Sequence, residues 1–477
     1  MTPSGPNLVL VVLDTARADL VGARDDSAFA QLGRRGRRFL RAVAPAPWTL
    51  PSHASILSGL RPSEHGVTGA AVMTPAGPRS PRSVIEGLPR WLPKTLQHNG
   101  FATFCASGNP WMGRATGLAS GFGTVFEAWR SAPLPKLADP LATTGDPAGP
   151  RTARSAAVYA RRALGVGDGG ASASLSVFRS FLDGRGDRPF FGFFNVMEPH
   201  APYAPPRGHG GRRGLAALRT VRRWNADRML RYCTGREEIT DSELAVLRSQ
   251  YRAEISYTES WLARLLATLD ETGMLDETLV AVTADHGENL GEHHRLSHIL
   301  SMHETLLHVP LAIAGPGVPP GEERAPVGLT ALHATLLAAL DGRWIDPVAA
   351  GAPVAEYESA AAQVSGARRL DDQVPEELRE ELRTRWMAAY EGRFKYTATS
   401  DGREMLVDLE ADPGEACDVS AEHPGPLHRL RGLRGTWAGE HGRADEPAGP
   451  DAEIAAPDEP AGLDAEIAAH LEGLGYL

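Results

Sequence analysis

Lysine is almost missing from this chain. It occurs only at Lys94, Lys136 and Lys395, so all but three of the 49 basic side chains are arginine. Beside 51 glycines and 37 prolines, that bias reads as the mark of a GC-rich genome rather than a binding signature. Cysteine is also scarce. Cys105, Cys233 and Cys417 are odd in number and far apart, which excludes a disulfide framework and a cysteine zinc knuckle. Positive charge is in deficit, with a formal net charge of -10, so there is no basic field to hold nucleic acid. Long apolar runs are lacking too. The first, Leu8 to Leu13, runs straight into Asp14 and is too short for a signal-peptide core or a bilayer span. These absences predict a soluble, cytoplasmic, enzyme-sized protein with no membrane span and no nucleic-acid partner.

The composition that remains, 42% hydrophobic and 23% charged over 477 residues, is that of a folded globular chain. Asn7 to Leu13, Pro189 to Val196, Thr278 to Thr283 and Val309 to Ile313 are nearly continuous apolar runs, the pattern of strands buried on both faces. Between the later runs, residues 244–270 place Leu247, Tyr251, Ile255, Leu262, Leu265 and Leu266 at helical spacing. Strands alternating with helices predict an α/β fold, a doubly wound and mostly parallel sheet flanked by helices, with ligands at the carboxyl ends of the strands. The catalytic domain is expected over 1–345, with variable insertions at about 130–175 and 204–245. A small C-terminal β/α domain and tail are expected over 346–477, where Arg393–Thr399 and Glu404–Leu409 alternate as a hairpin does. The arginine-rich stretch 207–230 reads as a solvated face.

Four segments carry chemical groups at strand ends or loop-to-helix junctions: Asp14-Thr15, Thr49-Leu-Pro-Ser-His53, Glu198-Pro-His200, and Asp285-His286-Gly-Glu288. The last opens a stretch of 23 residues that holds six of the 16 histidines. Asp14, Asp285 and His286 form an oxygen and nitrogen donor set suited to one divalent ion, Mn²⁺ or Zn²⁺ before Ca²⁺. Thr49 precedes a sequence that can open a helix. A hydroxyl there, beside a dication, can attack an anionic phosphorus centre. The same residue can instead serve as a plain helix N-cap. His200 is a candidate donor to a substrate oxyanion or leaving group.

Taken in order, these segments resemble the sulfatase family of the alkaline phosphatase superfamily. Asp14 matches its first metal acid, Thr49-Leu-Pro-Ser-His its nucleophile motif, Glu-Pro-His200 its substrate-binding histidine and Asp285-His286-Gly its second metal pair. His298, the Glu304-Thr-Leu-Leu-His-Val-Pro-Leu segment, Arg393-Phe-Lys-Tyr and the terminal Leu474-Gly-Tyr-Leu continue the likeness. The resemblance implies Thr49 and His200 as catalytic residues and His53 and His298 as substrate-binding ones. Asp14, Thr49, Asp285 and His286 are then the metal ligands.

The departures inform function. Family sulfatases carry Cys or Ser followed by X-Pro-X-Arg and oxidise the first residue to formylglycine. Here Thr49 and His53 stand in those positions, and threonine cannot become that aldehyde. Thr15 replaces the second acid of the usual pair, and His286 replaces an asparagine. Val196, not an acid, lies four residues before His200, which favours one metal over two. The resemblance therefore implies a small anionic ester as substrate, most of all a phosphodiester or phosphonate monoester. Alternatives are a sulfuric ester hydrolase working without formylglycine, a phosphoryl-group transferase, and a degenerate binding protein.

Overall fold

Strands that are apolar at every position are stable only when covered on both sides, and here they form the middle of one nine-stranded sheet. The computed structural model describes residues 5–69, 72–74, 77–130, 168–363 and 376–441. Most of the expected 130–175 insertion and the C-terminal tail with its Leu-Gly-Tyr-Leu end lie outside them. The strands are β1 (Asn7–Leu13), β2 (Arg37–Val43), β3 (Ala102–Ser107), β4 (Thr124–Glu127), β5 (Phe190–Val196), β6 (Thr278–Thr283), β7 (His308–Ala314) and β8 (Gly321–Glu323). Their order is β8-β2-β7-β6-β1-β5-β3-β4, with Val327–Gly328 added beside β2. β1 is parallel to both neighbours, in the registers Leu13↔Val196 and Val12↔Thr283. β7 runs antiparallel to both β2 and β6, and the sheet is mostly parallel, as expected. Because β1, β5 and β6 end level, the residues that follow them gather at one edge.

Helices α1 (Ala28–Arg35), α2 (Thr49–Ser58), α3 (Ala171–Gly184), α4 (Leu215–Arg223), α5 (Ala226–Cys233) and α6 (Asp241–Glu271) surround this sheet, α4 lying on α6 and α5 on the short strand Leu296–Ser297. A capping box at Thr240 and Glu243 opens α6. Every residue of α2 is buried. Gly59 ends it at φ 70, where a Cβ would lie 2.9 Å from that of His333, so only glycine fits both the turn and the contact. A helix enclosed on all sides needs partners for its polar side chains. Ser55 Oγ pairs with His65 Nε2 at 2.9 Å, and Ser58 Oγ donates to Ala54 O. No helix among the described residues is long and apolar enough to cross a membrane.

Val354–Tyr357, Trp386–Glu391, Phe394–Thr399 and Glu404–Asp408 form a separate antiparallel sheet in that order. The expected hairpin is present, paired Phe394↔Asp408. Lys395, fully buried, ties this sheet to the loop before β7. Its Nζ donates to Met302 O at 2.7 Å and lies 2.6 Å from Glu415 and 3.0 Å from Glu304. The lysine holds Glu415 down to a pKa of about 2. Lys395→Met would leave the buried Glu415 and the partly buried Glu304 without the ammonium they share. It should cost about 3–5 kcal/mol, read as a lowered urea midpoint. An unchanged midpoint would show the triad to be dispensable.

Candidate functional site

The edge where β1, β5 and β6 end holds Asp14, Asn195 and Asp285, all buried. Asp14 Oδ2 accepts from Asn109 Nδ2 at 2.8 Å and from Asn195 Nδ2 at 3.0 Å. Asp285 Oδ1 accepts from the backbone N–H groups of Thr15 (3.2 Å) and His286 (2.9 Å). Thr15 reaches that position with φ 60, a left-handed turn unusual for a β-branched residue. Tyr251 fastens it by donating to its carbonyl at 2.6 Å.

Each acid is thus held by one oxygen, and the other is left over. Asp14 Oδ1, Asp285 Oδ2, His286 Nε2 and Thr15 Oγ1 are buried with no hydrogen-bond partner among the described residues. Asp14, Asp285 and His286 offer ligand atoms that all lie within 4.8 Å of one another. Burial and then the charge of Asp14 push the Asp285 carboxyl well above the usual carboxylate range. Burial holds His286 well below the ordinary histidine value, so its ring is neutral. Its Nδ1 lies 2.9 Å from Gly287 O and must carry the hydrogen, which leaves Nε2 as a lone pair. Two close carboxylates and a neutral imidazole, each with an unmatched lone pair in a buried space, fit a divalent cation.

Thr49 is the first residue of α2, and Trp48, in extended conformation, holds the N-cap position. The N-cap role open to Thr49 on sequence grounds therefore falls to its neighbour. Asn109 Nδ2, which donates to Asp14, also lies 3.4 Å from Thr49 Oγ1, so one amide joins the hydroxyl to the acid pair. One turn into α2, Ser52 Oγ donates to Asp285 O at 2.7 Å. His53 Nδ1 lies 2.9 Å from Thr49 O and 3.5 Å from Asp285 Oδ2, and its Nε2 is 3.4 Å from Asn195 Nδ2. Burial lowers the pKa of His53, which keeps it neutral.

His200 and His298 stand together, their ring centroids 5.2 Å apart, and His298 is 4.5 Å from His286. Burial also depresses the pKa of His200, and its Nδ1 lies 2.6 Å from Ala201 O. That neutral ring offers Nε2 as an acceptor and becomes a donor only after taking a proton. Glu288, buried, organises the pair from behind. Its Oε1 meets His298 Nδ1 at 3.1 Å, and its Oε2 accepts from Tyr203 at 2.9 Å.

All seven residues proposed from sequence lie in this region. Asp14, Asp285 and His286 form one group, Thr49 and His53 lie at the start of α2, and His200 and His298 form a ring pair. Sequence reasoning gave no role to Asn109, Asn195, Glu288 or Tyr203, although Glu288 stands in one of the segments it singled out. For Asn195 a signal existed, since a lone amide inside an all-buried strand must find a polar partner.

Comparisons with known proteins agree with this geometry. A family model described as Sulfatase matches residues 6–342. Choline-sulfatase of Rhizobium meliloti (strain 1021) is 34% identical over 190 residues, 40% of this chain and 36% of that protein. Arylsulfatase K of Bos taurus is 29% identical over 210 residues, again 40% of this chain and 36% of that protein. The chain spans little more than a third of the length of these curated relatives. The solved structure of the phosphonate monoester hydrolase of Agrobacterium radiobacter shares the fold, with a TM-score of 0.59 at 17% identity over 92% of this chain and 96% of that one.

Proposed function

The chain belongs to the sulfatase family, and we propose that within it this protein is a metal-dependent hydrolase that uses Thr49 to open a phosphodiester or phosphonate monoester. The observation that carries the reading is the bridge made by Asn109, which sets the Thr49 hydroxyl at a helix N-terminus beside Asp14. Asp14, Asp285 and His286 would hold the divalent ion, with Thr49 as the ligand that also reacts. Such an ion, when bound, supplies positive charge that lowers the pKa of a nearby hydroxyl and offsets charge on the phosphoryl oxygens.

The remaining work belongs to the chain. Asn109 donates to Thr49 Oγ1 and turns its lone pair outward, and the first N–H groups of α2 face the developing negative charge. Thr49 Oγ bonds to phosphorus as the ester oxygen leaves. The Thr49 proton passes to water, and His200, neutral at rest and protonated from solvent as the substrate's negative charge arrives, gives its proton to the departing alkoxide. Glu288 keeps His298 oriented toward the substrate oxygens. Water then cleaves the phosphothreonine ester, freeing Thr49 for another cycle. Formylglycine has no place in this scheme, because Thr49 carries a secondary hydroxyl.

A second reading, hydrolysis of a sulfate ester, is favoured by the identity shared with choline-sulfatase and arylsulfatase K. Turnover of matched aryl esters with Mn²⁺ or Zn²⁺ separates the two. The phosphodiester and phosphonate should exceed the sulfate by at least about tenfold in kcat/KM, roughly 1.4 kcal/mol of transition-state preference. A sulfate ester turned over faster than either would establish the second reading and end the first.

A further inference from the structure

Between residues 204 and 236 the sequence carries nine arginines against a single aspartate, in a chain whose net charge is -10. Most of the charge pairing in this segment is local. Arg223 meets Glu243, Arg228 meets Glu237 and Arg231 meets Asp227. Arg212 is different. It lines a cavity of about 750 Å³ between the loop around Gly210 and one face of α6, together with Arg248 and Arg252, which lie one turn apart on that helix. Among the described residues, no carboxylate lies within ion-pair distance of these three guanidinium groups. The one hydrogen bond they make runs from Arg248 Nε to Leu290 O, at 2.8 Å. Asp241 is the only acid lining the cavity.

The loop is built to hold this arrangement. Gly208, Gly210 and Gly211 have φ of 97, 90 and 80, where a side chain is strained. A Cβ on Gly211 would lie 2.5 Å from Gln250 Oε1, so the loop sits directly on α6. Arg213 closes it by donating to Pro206 O at 3.1 Å. Three like charges held around one cavity repel one another. An oxyanion placed among them relieves that repulsion and can take several N–H donors at once.

We propose that this cleft binds a sulfate or phosphate ester group distinct from the one attacked at Thr49. The wall is joined to the active edge, because Leu290, which accepts from Arg248, pairs with Leu296 in the short hairpin between Glu288 and His298. The bound group comes either with the substrate, as a second anionic substituent, or on a separate polyanion.

The test is made on the metal-loaded protein with Arg212→Gln/Arg252→Gln, both exposed positions outside the catalytic residues. Inorganic sulfate and dextran sulfate are titrated calorimetrically at low ionic strength, where such contacts are least screened. The double variant should bind dextran sulfate at least tenfold more weakly than the parent, and Asp285→Asn should leave that binding intact. Kinetics then identify the source. If the group travels with the substrate, KM rises tenfold only for an aryl phosphodiester that also carries a sulfate group. If it belongs to a separate polyanion, KM stays unchanged for both esters while polyanion binding is lost. Parental affinity of the double variant for sulfate and dextran sulfate would overturn the proposal, whatever the outcome for Thr49.

Discussion

Thr49→Ala should lower kcat/KM for the preferred ester by about three orders of magnitude or more, which is the range seen when a nucleophile is removed and binding remains. The fold should survive. Trp48, not Thr49, stands at the N-cap, and alanine has the better helix propensity at the first helical position. Metal affinity should fall modestly, since Asp14, Asp285 and His286 are untouched. Thr49→Ser, which keeps the hydroxyl, should recover part of the rate. Acid quenching during turnover, followed by mass spectrometry of the Thr49 peptide, should reveal a phosphorylated threonine in the parent and none in Thr49→Ala. An alanine variant working at the parental rate would sink the mechanism and leave a water molecule as the attacking group.

Asp285→Asn should show opposite effects on stability and on function. Asparagine keeps the acceptor that Thr15 and His286 N–H groups use. Its amide nitrogen would lie where Asp285 Oδ2 now stands, 3.4 Å from His286 Nε2, and would supply the hydrogen that this ring nitrogen lacks. It also removes one of two buried carboxylates that repel each other. The metal-free variant should therefore melt about 2 °C or more above the metal-free parent, the size expected of relieving one buried conflict. Function should move the other way, with the thermal shift on adding Mn²⁺ or Zn²⁺ lost and turnover reduced beyond about a thousandfold. A metal-free variant less stable than its parent, or one still stabilised by the ion, would show that Asp285 is a structural acid and not a ligand.

Sequence made the strand ends legible because a carboxylate stopping an apolar run is a local signal. Asp14 and Asp285 are both of this kind, and Thr49 was marked by the Pro and Ser that follow it. Asn109 and Asn195 gave weaker signals, because what they do depends on β5 lying beside β1 and β3 beside β5, neighbour relations that are absent from their local sequence. The role of Glu288, though not its presence in the last segment, was hidden for a similar reason. Of its partners, His298 is brought back by the short hairpin of the same connection, and Tyr203 comes from the segment after β5, so the three meet only once the sheet edge is assembled. The direction of β7 was also unreadable, since a buried antiparallel strand has the same apolar pattern as a parallel one.

The near absence of lysine gives the buried ion triad a practical use. Lys395 is enclosed while the C-terminal sheet is docked, so an amine-acylating reagent can reach its nitrogen only when that sheet opens. Lys94, by contrast, is partly exposed and takes the label in the native state. The ratio of acylation at these two sites turns a compositional accident into an internal gauge of how often the appended sheet lifts from the catalytic body. Because one amine calibrates the other within a single molecule, the gauge needs no engineered probe.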